Sequence, residues 1–385
     1  MDFDLSEEQR LLKESVDGLL GSSYDFEQRK KYMAEKGGWS KSVWGKLAEQ
    51  GLLGLPFSED DGGFGAGAVE TMIVMEALGK ALVLEPYLAT VVIGGGFLRR
   101  GGSAEQKAAT IPGIIDGSKT FAFAQLEKNS RYDLSDVSTS AKKKGAGWVI
   151  DGEKFVVLNG ETADMLVVTA RTKGGQRDKT GIGVFLVPGN AKGVVSKGYP
   201  TQDGLHAADI TFTGVEVGAD AAIGDPENGL PLIERVVDDA RIALCAEAVG
   251  LMDESLKTTV EYLKTRTQFG VPIGSFQAVK HPLADAVVGT EFAWPAVLRA
   301  AHSLATSDPQ AGLHVSMAKA LASDASYQVS RVCLQAHGAM GYTVEYDLHL
   351  FAKRTWALAK DWGTAEQHRA IVAMKILESS GRTAL

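Results

Sequence analysis

The 385 residues predict an α+β chain in three parts: helical, then β, then helical again. Three observations carry that reading. Apolar residues recur at helical spacing through residues 1–118. Between residues 119 and 228 the pattern changes to short runs rich in Val, Ile and Phe, punctuated by Gly and Asp. From Leu230 a near-3.6 spacing returns and is sustained without a break as far as Leu263.

Each part is read from its own residues. Ser6-Glu-Glu-Gln9 has capping-box spacing, and Leu11, Leu12, Val16, Leu19 and Leu20 then share one apolar face. Ser40 is placed to cap a helix through Val43, Trp44, Leu47 and Leu52. The segment Asp61–Gly67 is a glycine-rich loop. It lacks the Lys-Ser/Thr of a P-loop and the strand that precedes a dinucleotide fingerprint, so it reads as a packing turn.

In the middle part, Gly147–Leu158 reads as two short strands around an Asp151-Gly152 turn. Met165–Arg171, Gly183–Pro188 and Asp209–Val217 add further strands, and no helical stretch lies between them. A compact antiparallel domain over residues 119–228 is expected. Ile233, Val236, Val237, Ala240, Leu244, Ala248, Leu251, Met252, Leu256, Val260 and Leu263 then mark one helix of about 35 residues, roughly 50 Å long at 1.5 Å per residue. More helices run from Gln277 to the end, and residues 229–385 suit a four-helix bundle.

Composition narrows the function. The net charge of −8 supplies no basic footprint for nucleic acid or an anionic membrane surface. Lys142-Lys143-Lys144 reads as a solvated turn. The acidic start Met1–Glu8 has neither the apolar core of a signal peptide nor the arginines of a transit peptide, and no apolar run reaches the roughly 18 residues of a membrane span. Cys245 and Cys333 lie far apart in apolar helical patterns, which reads as buried reduced thiols in a cytoplasmic protein rather than a zinc or disulfide framework.

Five segments carry a more specific message: Leu5–Arg10, Leu53–Gly63, Arg266–Gly270, Gln335–Tyr346 and Asp361–Thr364. Together with the helical–β–helical order they resemble the acyl-CoA dehydrogenase family from end to end. Arg131–Asp136 and Gly198–Gly204 further resemble the small subunits of pimeloyl-CoA-dehydrogenase-type enzymes. The resemblance implies FAD, an acyl-CoA substrate, a homologous larger subunit in an α2β2 assembly or else a homotetramer, and electron-transferring flavoprotein as the acceptor. In such chemistry the bound thioester acidifies the α-carbon, a carboxylate takes the α-proton, and the β-hydride passes to the flavin.

Carried over residue by residue, the resemblance gives Gln125 and Leu126 the flavin-ring contacts. Leu126 stands where relatives usually have threonine, so it retains a backbone N–H but no hydroxyl. Val156 and Leu158 stand where tryptophan and threonine are common, a lost stacking ring and another lost hydroxyl. Arg266 and Phe269 match residues that reach a neighbouring subunit's FAD, the arginine through its pyrophosphate. Gln277 follows on the same segment. Gln335 and Gly338 match positions beside the adenosine diphosphate half, and Thr364 matches a contact after the catalytic loop. Glu366 must stay clear of the phosphates. Arg241 matches an arginine on the CoA side, and a surface ion pair on its own helix is the competing reading.

The base is the anomaly. The two positions that hold the catalytic carboxylate in relatives correspond to Trp362 and Ala240. Asp239 is turned about 100° from Ala240 on the helix, Asp361 faces inward only on a different loop path, and Glu345 reads as a structural or surface residue. Three functions therefore stay open: a dehydrogenase subunit working beside a partner chain, a non-catalytic structural subunit that completes the partner's FAD site, and a flavin oxidase or monooxygenase.

Overall fold

A computed structural model describes residues 4–379. The first three residues of the acidic start, and the last six of the C-terminal part, lie outside the described residues. The N-terminal part consists of α1 (Glu7–Ser23), α2 (Phe26–Met33), α3 (Lys41–Glu49), α4 (Ala68–Lys80), a π-helical stretch Leu88–Gly94, α5 (Gly95–Gly101) and α6 (Ala104–Ile115). The capping box at Ser6 is formed in both directions with Gln9. Val16, Leu19 and Leu20 are buried as expected, but Leu11 is 59% exposed and belongs to the outer face. Ser40 occupies the cap position of α3 without a side-chain cap bond. A second capping box, Ser103 with Gln106, starts α6.

The middle part is a sheet of β1 (Phe121–Ala124), β2 (Ser140–Lys144), β3 (Gly147–Leu158), β4 (Met165–Arg171), β5 (Ile182–Pro188), β6 (Val194–Pro200), β7 (His206–Val217) and β8 (Ala222–Ile223). Its order is β6-β7-β3-β2-β4-β5-β8, with β1 on β4. The β1–β4 and β2–β4 pairings are parallel, so the sheet is mixed rather than antiparallel. Residues 147–158 form one strand, not two. Asp151-Gly152 is a bulge against β7, where the register shifts between Ile150 and Gly152. The lysine run is strand β2, and the turn follows it at Gly145-Ala146.

The C-terminal part holds α7 (Leu230–Thr265), a short hairpin of β9 (Thr267–Gln268) and β10 (Val271–Pro272), α8 (Gln277–Ala305), α9 (Ala311–His337), α10 (Leu348–Leu358) and α11 (Ala365–Ser379). The expected long helix has 36 residues. No helix among the described residues is long and apolar enough to cross a membrane.

By contact the described chain forms two compact units. One gathers the described residues of 4–29, 68–83 and 241–379; the other gathers Lys30–Gly67 and Leu84–Ala240. In the first, α4 crosses α7 at bare backbone. A Cβ on Gly79 would lie 2.2 Å from Glu247 O, and one on Gly250 would lie 2.0 Å from Glu76 O. Arg354 then ties α10 to α7 through Glu247 at 2.6 and 2.9 Å, both side chains buried. Cys245 and Cys333 are buried and unpaired in this unit, and burial pushes both thiols up to about 11. In the second, the sheet core is built from residues such as Val168, Phe185, Val187, Ile210 and Phe212, with Trp148 edge-on to Phe185 at 5.3 Å. The glycine-rich loop is a packing turn here. A Cβ on Gly63 would meet Phe57 O at 2.4 Å and Gly54 O at 2.5 Å.

Candidate active site

The Gln125 end of β1 is built around a buried lysine. Lys154, on β3, is fully buried, and its ammonium donates to Gln125 O at 3.1 Å, to Glu127 at 2.8 Å and to Thr169 Oγ1 at 3.0 Å. Burial pushes the lysine pKa down while the Glu127 charge opposes it. Burial alone raises the Glu127 carboxyl, but Lys154 and the bonds from Ser138 and Thr139 hold it well below the carboxylate range. That pair fixes the backbone just past the strand, where Phe155 N–H donates to Leu126 O at 2.9 Å.

Gln125 is 3% exposed, and its Nε2 is buried without a hydrogen-bond partner among the described residues. A buried amide donor left open in this way is costly unless a ligand acceptor completes it. At a second bulge of β3, where the register against β7 shifts between Lys154 and Val157, Val156 is half exposed with φ 49°. A β-branched residue is strained there, and such strain collects at functional sites. Leu158 ends β3 and is partly buried. The sheet therefore brings Gln125, Leu126 and Val156 together. The open amide of Gln125 is a donor that the backbone-contact reading missed.

In the other unit, Arg266 and Phe269 lie on the β9–β10 hairpin, closed by Ile273 N–H to Arg266 O at 2.9 Å. Phe269 has φ 53° and is 93% exposed, its ring edge-on to Phe276 at 6.1 Å. Arg266 and Gln277 are exposed, Gln277 as the first residue of α8. Gln335 and Gly338 sit exposed at the end of α9, joined by Gly338 N–H to Gln335 O. Beside them Tyr262 stacks on His337 at 4.2 Å, and His337 meets the Tyr346 hydroxyl at 3.1 Å. Glu345 and Glu366 are exposed.

The loop at Trp362 is pinned from two sides. Trp362 has φ 58°, and its carbonyl accepts from Arg241 Nε at 3.0 Å and from His368 Nε2 at 3.1 Å. Gly363, at φ 120°, leaves the room for this, since a Cβ there would lie 2.5 Å from His368 Nε2. His368 is 1% exposed, and burial first, then the Arg241 charge, pull its pKa down to about 4. No signal in the sequence marked it. Thr364 caps α11, its N–H donating to Gln367 Oε1 at 3.0 Å. Asp361 follows α10 with its N–H on Ala357 O, and lies within electrostatic reach of Lys319. Lys319 is itself buried, donating to Leu358 O at 2.6 Å and Ser323 Oγ at 3.2 Å.

Of the base candidates in the unit that contains Ala240, Asp239 is held bidentately by Arg100 at 2.8 and 3.0 Å. Ala240 is wholly buried. Among the described residues no cluster of His, Cys, Asp and Glu is arranged to hold a metal.

A helical domain, a mixed sheet and a second helical domain, in that order, define a three-domain fold with known relatives. Models of the acyl-CoA dehydrogenase N-terminal, middle and C-terminal domains match residues 6–118, 122–215 and 227–377 in turn. A probable acyl-CoA dehydrogenase of Bacillus subtilis, YngJ, is 30% identical over 383 residues, spanning 98% of this chain and 100% of its own. The chain belongs to the acyl-CoA dehydrogenase family, oxidoreductases that act on CH–CH bonds. Among solved structures, a chain of the ChsE4-ChsE5 complex of Mycobacterium tuberculosis superposes with a TM-score of 0.89 at 26% identity, covering 98% of this chain and 99% of that one. The FAD complex of PigA gives 0.91 at 25% identity, covering 98% and 99%. The family's cofactor is FAD, and the open amide donor at Gln125 suits a ligand acceptor of that kind.

Proposed function

We propose that this chain is an FAD-dependent acyl-CoA dehydrogenase subunit that works beside a homologous partner chain carrying the base. One observation carries the reading. Both family base positions lack a carboxylate, the nearest acid on α7 is locked to Arg100, and the Trp362 loop is pinned by Arg241 and His368.

FAD, when bound, supplies the hydride acceptor. The chain's residues are assigned to two flavins: the Gln125 amide and the Leu126 N–H face the ring of its own FAD with Leu158 beside it, while Arg266 and Phe269 reach the dinucleotide of a neighbouring subunit's FAD; Gln277, Gln335, Gly338 and Thr364 are further dinucleotide contacts. Arg266 suits a pyrophosphate because its planar fork pairs two oxygens at once. Arg241 stands on the CoA side of this scheme, yet its Nε is spent on Trp362 O, so its first task is to shape the loop. What the chain does not supply is a proton acceptor, since Trp362 presents an indole and Ala240 a methyl. The partner arrangement is consistent with a two-protein complex among the relatives. Electron-transferring flavoprotein is the proposed acceptor and the cytoplasm the proposed compartment.

A second reading, a purely structural subunit, gains weight from the same pinned loop. The two separate on one preparation. The chain is purified alone and with its homologous partner, and flavin absorbance and acyl-CoA bleaching are recorded. Flavin in both, with bleaching only in the complex, is the expected result. Flavin absent from the lone chain and held only by the partner's residues would favour the scaffold.

A further inference from the structure

Strand β4 pairs with β5 along one edge, and its other edge is shared by two strands in turn. β1 runs beside it as far as Ala124 on Val168, and β2 takes over with Ser140 on Arg171. Thr169 and Ala170 lie between the two pairings. At this changeover β1 ends and the chain continues as Gln125-Leu126-Glu127, which must be held by something other than a strand ladder.

Lys154 reaches into that changeover from β3. Its ammonium has three N–H groups, and each has its own acceptor. One goes to Gln125 O on the departing segment at 3.1 Å, one to Thr169 Oγ1 on β4 at 3.0 Å, and one to Glu127 at 2.8 Å. Glu127 carries the connection on toward β2, accepting from the N–H groups of Ser138 and Thr139 at 2.7 and 3.0 Å. Ser130 closes the far end, its hydroxyl accepting from Glu127 N–H at 3.0 Å and donating to Glu127 O at 3.1 Å. With Phe155 N–H on Leu126 O, the carbonyls of all three residues are fixed from inside the sheet unit. The Gln125 amide is the group on this segment that is buried without a partner among the described residues. A buried ion pair is a poor source of stability, since apolar residues of the same volume often serve as well. What a lysine adds is three directed donors at a point where two strands change over.

We propose that Lys154 is a positioning residue for FAD, setting the Gln125–Glu127 segment so that the open Gln125 amide meets the cofactor. The assignment rests on the reading of Gln125 as a flavin contact and deepens it by naming what holds that contact in place.

Two quantities are measured on the full-length protein, with its partner where the partner is needed for stability: the FAD dissociation constant of the flavin-free form, and its urea midpoint without FAD. Gln125→Leu is expected to weaken FAD about threefold to tenfold, the range for a neutral hydrogen bond, with little change in midpoint. Lys154→Met should weaken FAD at least as much and lower the midpoint. Lys154→Met with Glu127→Gln removes both charges, so the midpoint should rise again while FAD binding stays weak. Gln125→Leu made in the Lys154→Met background should cost little further affinity, because the amide is already displaced. FAD affinity that recovers together with the midpoint in the charge-free double variant makes the lysine a structural group and overturns the proposal. Fully additive losses from Gln125→Leu and Lys154→Met overturn it as well, since the two side chains would then act separately. A Gln125→Leu protein that binds FAD like the wild type overturns the Gln125 reading itself. If Lys154→Met does not fold, the charge-free double variant takes its place in the comparison with Gln125→Leu.

Discussion

At the scale of single residues, His368 governs how the Trp362 loop responds to pH. Its Nε2 holds the proton that is donated to Trp362 O, and its buried Nδ1 has no partner among the described residues. The folded pKa of about 4 lies below the ordinary 6.5. Between those values the unfolded chain takes up a proton that the folded chain refuses. The contribution is therefore whole above pH 6.5 and is lost as pH falls toward 4, by roughly 3 kcal/mol in all. His368→Gln should flatten that part of the pH–stability curve. Urea midpoints at pH 7 and pH 5 check this, and an unchanged pH slope would show that the imidazole is not the source. The missing base belongs at the same scale. Asp239→Asn and Asp361→Asn should leave activity of the reconstituted complex within a few-fold of wild type, whereas removing a working general base costs on the order of 10²-fold or more. Single residues were also the least legible part of the sequence. His368 and Lys154 take their importance from burial and from partners 6 and 27 residues away, neither of which spacing reveals.

Elements were read well where one local rule decides them and poorly where distant pairing does. The capping box at Ser6 and the long apolar stripe of α7 are local, and both are present. Asp151-Gly152 carries the commonest hairpin-turn signal yet runs through β3. Its residues are wanted for other reasons: Asp151 Oδ1 accepts from Gly214 N–H at 2.7 Å, and a Cβ on Gly152 would strike Thr139 Oγ1 at 2.5 Å. The parallel pairing of β1 with β4 joins Phe121 to Met165, and no local pattern reports it. Lys142–Lys144 looked like a turn because charge suggests solvent; an exposed strand satisfies charge equally, with Lys143 over the Trp148 ring at 5.2 Å and Lys144 bonded to Glu216. The Lys154–Glu127 pair ties the interior strand β3 to the segment that follows β1. Lys154→Met should destabilise by about 3–5 kcal/mol, because Glu127 is left buried without its cation. The double variant Lys154→Met with Glu127→Leu should recover part of that loss. A double variant no more stable than the single one, by denaturant midpoint, would contradict a charge-pairing origin.

For the whole molecule, the three-part order was legible because each part keeps its own hydrophobic period. Assembly is less direct. Phe269 at 93% exposure and Phe292 at 71% are large apolar groups left on the surface of the lone chain. On the proposed reading Arg266 and Phe269 complete a neighbouring subunit's flavin site, and a dimer of dimers is then expected, either homomeric or α2β2. Light scattering that gives a stable monomer at micromolar concentration would remove the basis for a shared site. Arg266→Ala should then lower FAD content by a factor equivalent to about 1.5–3 kcal/mol, and unchanged occupancy would make it an ordinary surface arginine.

The central claim is a family fold that keeps its flavin site and has lost its own base. Anaerobic titration of the purified chain, alone, with acyl-CoA while following the visible flavin band tests it most directly. The account predicts a flavin band that acyl-CoA does not bleach, and bleaching once the partner chain is added. Rapid bleaching of the lone chain, abolished by Asp361→Asn or Asp239→Asn with FAD content intact, would contradict it.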